Sequence, residues 1–144
     1  MAHSFRFLDD IALADIAFEA EGDSLEEMFR AAGEALCEAL ANPATVGASW
    51  TRTTEHRDAD PAGLLFDWLS ELVYLKDAEA VVFQAAIPTL RKLDHTWELQ
   101  ALLVGAPVDL QAQELRNDVK GVTKHLYRVV QEGSRWKARV VLDV

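Results

Sequence analysis

Two segments of the sequence carry the start and stop signals of α-helices, while most of the remainder alternates like β-strands. The segment EGDSLEEMFRAAGEALCEALANP has a capping box, with Ser24 as N-cap and Glu27 three residues later, and Asn-Pro ends it. Asp60 is the candidate N-cap of a second helix, and Pro61 takes its first position. The segment GLLFDWLSELVYLKDAEA continues this second helix. We therefore expect two helices in a chain that otherwise forms strands.

Each predicted helix has one apolar face, which indicates that both helices pack against a core. The apolar positions recur at intervals of three and four residues. They are Leu25, Met28, Phe29, Ala32, Leu36 and Leu40 in the first helix, and Leu65, Trp68, Leu69, Leu72 and Leu75 in the second.

The predicted strands come in runs on either side of the second helix. The first pair of predicted strands is FRFLDD and ALADIAFEAEG, and a third, exposed strand is SWTRTTEHRDAD. Four more predicted strands come after the second helix: AVVFQAAIPTL, HTWELQALLVG, GVTKHLYRVVQ and RWKARVVLDV. Asp94 and Gly133 lie in turns that suit antiparallel hairpins, and APVDLQAQELRND is a loop or a short helix. This order predicts an α+β fold of mainly antiparallel sheets packed with two amphipathic helices.

Length and composition predict one domain over residues 1–144, because a chain of this size can bury a core without staples. The single cysteine, Cys37, excludes an intramolecular disulfide and suits a reducing compartment. Neither a signal peptide nor a run of ~20 apolar residues is visible. We expect a cytoplasmic protein.

The charge is uneven along the chain. The net charge is −10, and residues 1–80 hold 17 acidic and 5 basic side chains, against 7 acidic and 9 basic in residues 81–144. Tight nucleic-acid binding depends on neutralising phosphates, so the chain is a poor candidate for a stand-alone RNA or DNA binder. A partner with a basic surface or a cation fits the charge better, and plain solubility explains it equally well.

Common catalytic and metal motifs do not occur. The glycines form neither a GxGxxG motif nor a P-loop, and the histidines lie too far apart for a structural zinc site. Cys37 lies at the edge of the apolar helix face, which favours a buried, inert thiol. His125 alternates with Tyr127 and Val129, which predicts a partly buried histidine on a strand. No nucleophile, base and orienting group come together in the sequence.

Two aspartates in strand segments are the most informative polar residues. Asp15 lies between Ala14 and Ile16, where aspartate is disfavoured, and Asp143 lies near the end of the last predicted strand. Together with the carboxylate of Val144, they would form an all-oxygen cluster of the kind that Ca²⁺ or Mg²⁺ prefers. The spacing alone is a weak signal and favours ordinary exposed aspartates over a metal site.

Four segments stand out by their order and spacing: LADIAFEAEGDSLEEMFRAAGEAL, LLFDWLSELVYLKDAEAVVF, NDVKGVTKHLYRV and the final RWKARVVLDV. In these segments the sequence resembles the archease family, and the resemblance runs over nearly the whole chain. The resemblance implies a small cytoplasmic α+β protein that is not itself an enzyme. It also implies an accessory role for RtcB, the RNA ligase of tRNA splicing and RNA repair. In that role it promotes guanylylation of the ligase and restores its turnover.

The same resemblance implies a metal site, with calcium as the ion. Asp15 and Asp143 match the family's ligand positions, and Val144 would supply a main-chain or carboxylate oxygen. Lys120 matches a position that assists with phosphates. The histidine that usually precedes the first aspartate is missing here. The resemblance also allows a chaperone-like modulator of another RNA-modifying enzyme, such as a tRNA methyltransferase. A stand-alone metal-dependent hydrolase using the two aspartates is a third hypothesis.

Overall fold

The computed structural model of the chain describes residues 2–9 and 15–144. These residues form two helices and seven strands, which confirms the predicted α+β class. In chain order the elements are β1 (His3–Phe7), β2 (Ile16–Gly22), α1 (Leu25–Leu40), β3 (Trp50–Asp58), α2 (Pro61–Glu79), β4 (Val81–Leu93), β5 (Thr96–Pro107), β6 (Gly121–Glu132) and β7 (Arg135–Asp143). A short 3₁₀ turn, Pro43–Thr45, follows α1.

The described strands form two antiparallel sheets with both helices packed against them. One sheet has the strand order β1-β2-β7-β6, and the other has the order β3-β5-β4. Each helix contacts strands of both sheets, so the core lies between the sheets and around the helices. In the first sheet, β7 lies between β2 and β6, and this arrangement decides where the last residues of the chain meet the rest of the protein.

The helix caps follow the sequence signals. The Ser24 hydroxyl accepts a hydrogen bond from the Glu27 N–H at 3.2 Å, and the Asp60 carboxylate accepts one from the Ala62 N–H at 3.1 Å. All eleven predicted apolar positions of the two helices are buried. The Trp68 indole N–H donates to the Phe29 carbonyl at 3.1 Å, so a hydrogen bond inside the core joins the helices.

Strand β6 contains an irregularity that the sequence pattern does not predict. Its register against β7 shifts between Thr123 and Arg128, and Leu126 adopts a left-handed backbone conformation with φ 57°. The shift breaks the alternation on which the prediction for His125 relied. His125 is exposed, so its prediction as a partly buried residue was wrong.

The segment between β5 and β6, residues 108–120, is an irregular connection tied to both helices, which agrees with the predicted loop. The N–H groups of Arg116 and Asn117 donate to the carbonyls of Leu40 and Ala39 at the end of α1, at 3.0 and 3.2 Å. Because its backbone groups are bonded, the connection has a defined path across the protein. Among the residues that the structure describes, none of the helices is long and apolar enough to cross a membrane.

Candidate metal-binding tip

The candidate site lies at one end of the four-stranded sheet, where β6 begins and β7 ends. Gly121, the first residue of β6, pairs with Asp143, the last residue of β7. The N–H of Lys120 donates to the Asp143 carbonyl at 2.7 Å, which extends the pairing by one residue. The structure therefore brings Lys120 and Asp143 together through their backbones, although 22 positions separate them in the sequence.

Asp15 lies on the other side of Asp143, at the start of β2. Ile16, the first residue of β2, pairs with Leu142. Continued by one residue, this antiparallel register places Asp15 opposite Asp143. Neighbouring strands are ~4.8 Å apart, which brings the two backbones close at this point. Asp15 lies one residue before β2 and not in the middle of a strand, which corrects the sequence prediction. The predicted continuation of that strand over residues 12–14 lies outside the described residues.

We call the group of Asp15, Lys120, Asp143 and Val144 the tip. The Asp143 and Lys120 side chains are exposed, while Asp15 and Val144 are half-buried. The Val144 side chain packs against the main hydrophobic cluster, which fixes the last backbone position next to Asp143. The tip thus combines two carboxylates, one lysine and the main-chain oxygens of Val144.

The donor chemistry of the tip fits a hard divalent cation. Carboxylate and main-chain oxygens are the ligands that Ca²⁺ and Mg²⁺ prefer. Thr123 pairs with Val141, so its hydroxyl lies on the same sheet face as Asp143, and it is buried without a hydrogen-bond partner in the described part of the chain. The described ranges hold no group of three or more His, Cys, Asp or Glu side chains at metal-binding distances. A cation there would therefore depend on main-chain, hydroxyl or water oxygens beside the carboxylates.

A cleft of about 310 Å³ borders the tip and includes Asp15 in its wall. Asp9, Glu38 and Arg116 also line it, so charged groups from the turn after β1, from α1 and from the 108–120 connection meet there. Glu38 and Glu114 hydrogen-bond the Arg116 guanidinium and raise its pKa. The Arg116 guanidinium therefore already forms ion pairs with two carboxylates of the protein itself.

The sequence analysis did not single out Lys76, a buried lysine that anchors the residues before Lys120. The Lys76 ammonium of α2 donates to the Asp118 carboxylate and to the Val119 carbonyl, both at 2.7 Å. Lys76 also pairs with Asp77 at 2.7 Å. Lys76 lowers the pKa of Asp118, chiefly by this hydrogen bond. These contacts fix the two residues before Lys120. One signal was present in the sequence, since Lys76 follows the buried Leu72 by four residues and so falls on the apolar face of α2.

The fold and the tip define a class: a small α+β protein whose antiparallel strands bring two aspartates and a lysine from distant parts of the chain to one sheet end. The comparisons with known proteins assign the family. A model described as the Archease protein family matches residues 5–144. The chain therefore belongs to the archease family.

Relatives and solved structures agree with this assignment. The chain is 34% identical over 140 residues to protein archease of Methanothermobacter thermautotrophicus, covering 97% of this chain and 98% of the relative. Protein archease of Pyrococcus abyssi is 32% identical over 132 residues, covering 91% and 93% of the two chains.

Two solved structures have the same fold. The solution structure of protein 1598 of Methanobacterium thermoautotrophicum aligns with a TM-score of 0.80 at 31% identity, covering 98% of this chain and 99% of that one. The crystal structure of an archease from Thermotoga maritima, described there as a possible chaperone, aligns with a TM-score of 0.62 at 19% identity over 92% and 93% of the chains. This second likeness shows the fold alone.

Proposed function

We propose that this archease-family chain activates an RtcB-type RNA ligase in tRNA splicing or RNA repair. It promotes guanylylation of the ligase and its multiple turnover, and it does not catalyse a reaction by itself. The observation that carries the proposal is the convergence of Asp15, Lys120 and Asp143 at one exposed sheet end in a chain of this family. An exposed end of this kind can reach into the active site of a larger partner.

The tip has the chemistry that guanylate transfer needs. In phosphoryl transfer, positioning and charge stabilisation provide most of the catalysis. In this proposal Asp15, Asp143 and a main-chain oxygen of Val144 hold a divalent cation, with calcium as the first candidate. When bound, that ion supplies positive charge next to phosphate oxygens. Lys120 adds a second cation beside the carboxylates and orients a phosphate group of the nucleotide.

The charge of the whole chain suits the partner. A net charge of −10 favours encounter with a protein that has a basic cleft for RNA. Charge complementarity raises the association rate and lowers it again at high salt. In this proposal the ligase supplies the RNA-binding cleft and the chemistry, and the chain is its protein partner in the cytoplasm.

Single-turnover guanylylation of the cognate ligase with GTP, with and without this protein, tests the proposal. We expect a faster guanylylation and restored multiple-turnover ligation in its presence. If the protein changes neither rate at saturating concentration, the activator proposal is wrong.

The tip has a matched pair of variants. Asp143→Asn should remove most of the stimulation, since it neutralises one carboxylate at an exposed position where folding depends little on the side chain. Asp94→Asn neutralises an exposed aspartate in the β4–β5 turn and should keep full stimulation. Equal loss in both variants would show that net charge matters and the tip does not.

Extension of the chain after Val144 tests the main-chain oxygen separately. A short Gly-Ser extension leaves the Val144 carbonyl oxygen in place as part of a peptide group and adds bulk at the tip. We expect weaker calcium binding by calorimetry and weaker stimulation. Unchanged calcium affinity would exclude a carboxylate of Val144 as the ligand and leave its main-chain carbonyl, which the extension keeps.

A second candidate function is a chaperone-like modulator of another RNA-modifying enzyme, such as a tRNA methyltransferase. The observation in its favour is the description of the Thermotoga maritima archease as a possible chaperone. This function predicts that the protein keeps a methyltransferase soluble and active during heating, independently of Asp143. A stand-alone hydrolase predicts instead that the protein with calcium cleaves RNA or nucleotides in the absence of the ligase.

A further inference from the structure

We infer that the β6–β7 hairpin carries a cationic surface that contacts the phosphate backbone of RNA while the protein is docked on the ligase. The inference rests on the proposed function for the identity of the RNA, and on the distribution of ion pairs for the surface itself. The proposed tip acts on the guanylylation step, whereas this surface acts on the RNA substrate.

The first observation is that the basic side chains separate into two groups. Of the 14 lysines and arginines, eight form ion pairs with carboxylates in the described ranges 2–9 and 15–144. Among the same residues, six form none. One of these, Lys92, lies at the far end of β4. The other five belong to the hairpin or to the residue before it: Lys120, Lys124, Arg128, Lys137 and Arg139.

The second observation is that three of these five share one solvent-facing side of the sheet. Arg128 pairs directly with Arg139 across the two strands, and Lys137 lies two residues before Arg139 on β7. Directly paired residues, and residues two apart on one strand, face the same way. Ala138, between Lys137 and Arg139, and Val140, after Arg139, point into the core. Arg128, Lys137 and Arg139 also line one shallow groove of about 160 Å³.

Nearby carboxylates do not cancel this surface. Glu19 pairs across the strands with Arg139, but its carboxylate binds Arg6 at 3.3 Å. Glu21 pairs with Lys137, but its carboxylate lies 3.6 Å from Arg135. Glu19 and Glu132 both line the groove, so two carboxylates oppose the three basic side chains and the groove keeps a net positive charge. Two like charges placed directly opposite each other, as Arg128 and Arg139 are, destabilise a sheet unless an anion lies between them.

A phosphate backbone is the ligand that this pattern fits best. Basic side chains that form no ion pair within the described ranges are spaced along the hairpin, and this spacing matches a linear polyanion. Binding of such a polyanion releases counterions and needs no particular base sequence. The net charge of −10 makes the surface too weak for RNA alone, so it acts only when the ligase holds the RNA next to it.

The test uses a triple variant and a matched control. Arg128→Gln, Lys137→Gln and Arg139→Gln together remove three charges from the surface. Arg30→Gln, Arg52→Gln and Lys92→Gln remove three charges elsewhere, all from exposed side chains outside the hairpin. Both variants are assayed in two reactions with the ligase. Guanylylation with GTP contains no RNA, whereas multiple-turnover ligation has an RNA concentration that can be varied.

We expect the surface variant to stimulate guanylylation as the wild type does and to raise the KM for RNA in ligation by about threefold or more. The control variant should change neither value. The dependence of log KM on log salt should become shallower by about 2 for the surface variant, because each lost contact to single-stranded RNA contributes about 0.7.

Two results would overturn the inference. An unchanged KM for RNA, or an equal change in both variants, would show that the surface has no RNA contact. A loss of guanylylation with an unchanged KM for RNA would assign the surface to an acidic patch on the ligase. If the triple variant does not fold, the three single substitutions carry the same test.

The two proposals fail in different ways. If the wild-type protein does not stimulate guanylylation, the proposed function fails. Crosslinking of 4-thiouridine RNA to the hairpin in a mixture with the ligase still tests the surface. A wild-type protein that stimulates guanylylation but gives no hairpin crosslink keeps the proposed function and removes the RNA contact.

Discussion

Cys37 illustrates how position decides the chemistry of a residue. The thiol is buried, and burial together with the charges of Glu34 and Glu38 raises its pKa to about 12. At pH 8 only about one thiol in ten thousand is then ionised, and the thiolate is the reactive form. We expect iodoacetamide to label the folded protein very slowly and the protein in guanidinium chloride rapidly. Fast labelling of the folded protein would contradict the structure.

Glu98 gives a prediction for the dependence of stability on pH. Its side chain is 4% exposed and lies between Arg57 and Arg91, each 2.6 Å away. The hydrogen bond from Arg91 and the two positive charges lower its pKa below the ordinary value of 4.5. A depressed pKa means that the ionised form favours folding. This contribution is present above pH 4.5 and is lost as pH falls through the lowered folded pKa.

We therefore expect Glu98→Gln to lower the free energy of unfolding at pH 7, and we expect the difference from the wild type to shrink as the pH falls below the ordinary pKa. Urea unfolding at a series of pH values measures this. Glu132→Gln is the control, since Glu132 lies exposed at the end of β6 in the other sheet. A difference that stays constant down to pH 3 would contradict the assigned role of the carboxylate.

At the scale of the elements, the start of α2 depends on one side chain. The Asp60 carboxylate satisfies the Ala62 N–H, one of the donors that a helix leaves free at its first turn. Asp60→Ala should lower the free energy of unfolding by about 1 kcal/mol. Asp67→Ala, at an exposed position within the same helix, is the control and should change stability little. Chemical denaturation gives both values, and equal effects would contradict the cap.

The connection between β5 and β6 should loosen when its anchor is removed. Lys76→Met deletes the hydrogen bonds to Asp118 and Val119 but keeps a side chain of similar length. We expect the Lys120 amide, which donates to Asp143, to exchange with deuterium about tenfold faster or more. Lys92→Met should leave this exchange rate unchanged. Equal protection in wild type and Lys76→Met would show that the anchor does not hold the tip.

The helices were predictable because their signals are local. Caps and apolar spacing lie within a few turns of each other, so Ser24, Asp60 and the buried stripes followed from the sequence. The register shift in β6 did not follow from the sequence, because such a shift depends on how two strands pair and leaves no pattern within one strand. The same limit explains the error at His125. It also explains why the sequence pattern placed Asp15 inside a strand, although β2 begins one residue later, because the start of a strand depends on its partner.

At the scale of the whole molecule, the neighbours of the tip could not be read from local patterns. The sequence singled out Asp15 and Asp143 by their unusual positions, and only the strand order β2-β7-β6 brings them beside Lys120. Long-range pairing of this kind is decided by the packing of the complete core. Lys76 was missed for the same reason, since its partners lie more than forty residues further along the chain.

A tip built from distant parts of the chain links ligand binding to global stability. A cation held by Asp15 and Asp143 binds only the folded chain, so it should raise the melting temperature. At a calcium concentration 100 times the Kd, the expected gain is about 2.7 kcal/mol. Asp143→Asn should abolish the shift, and Asp94→Asn should keep it. Differential scanning calorimetry with and without calcium measures the effect, and an equal shift in both variants would place the ion elsewhere.

The position of β7 between β2 and β6 has a consequence for biosynthesis. Ribosomes make the chain from its N-terminus, so β2 and β6 emerge before the strand that joins them. Until residues 135–143 leave the ribosome, the edge of β2 that pairs with β7 has no partner in this sheet, while its other edge can pair with β1. An exposed edge is a template for pairing with other chains. We therefore expect this edge of β2 to be the part of the nascent four-stranded sheet that is most open to pairing with other chains.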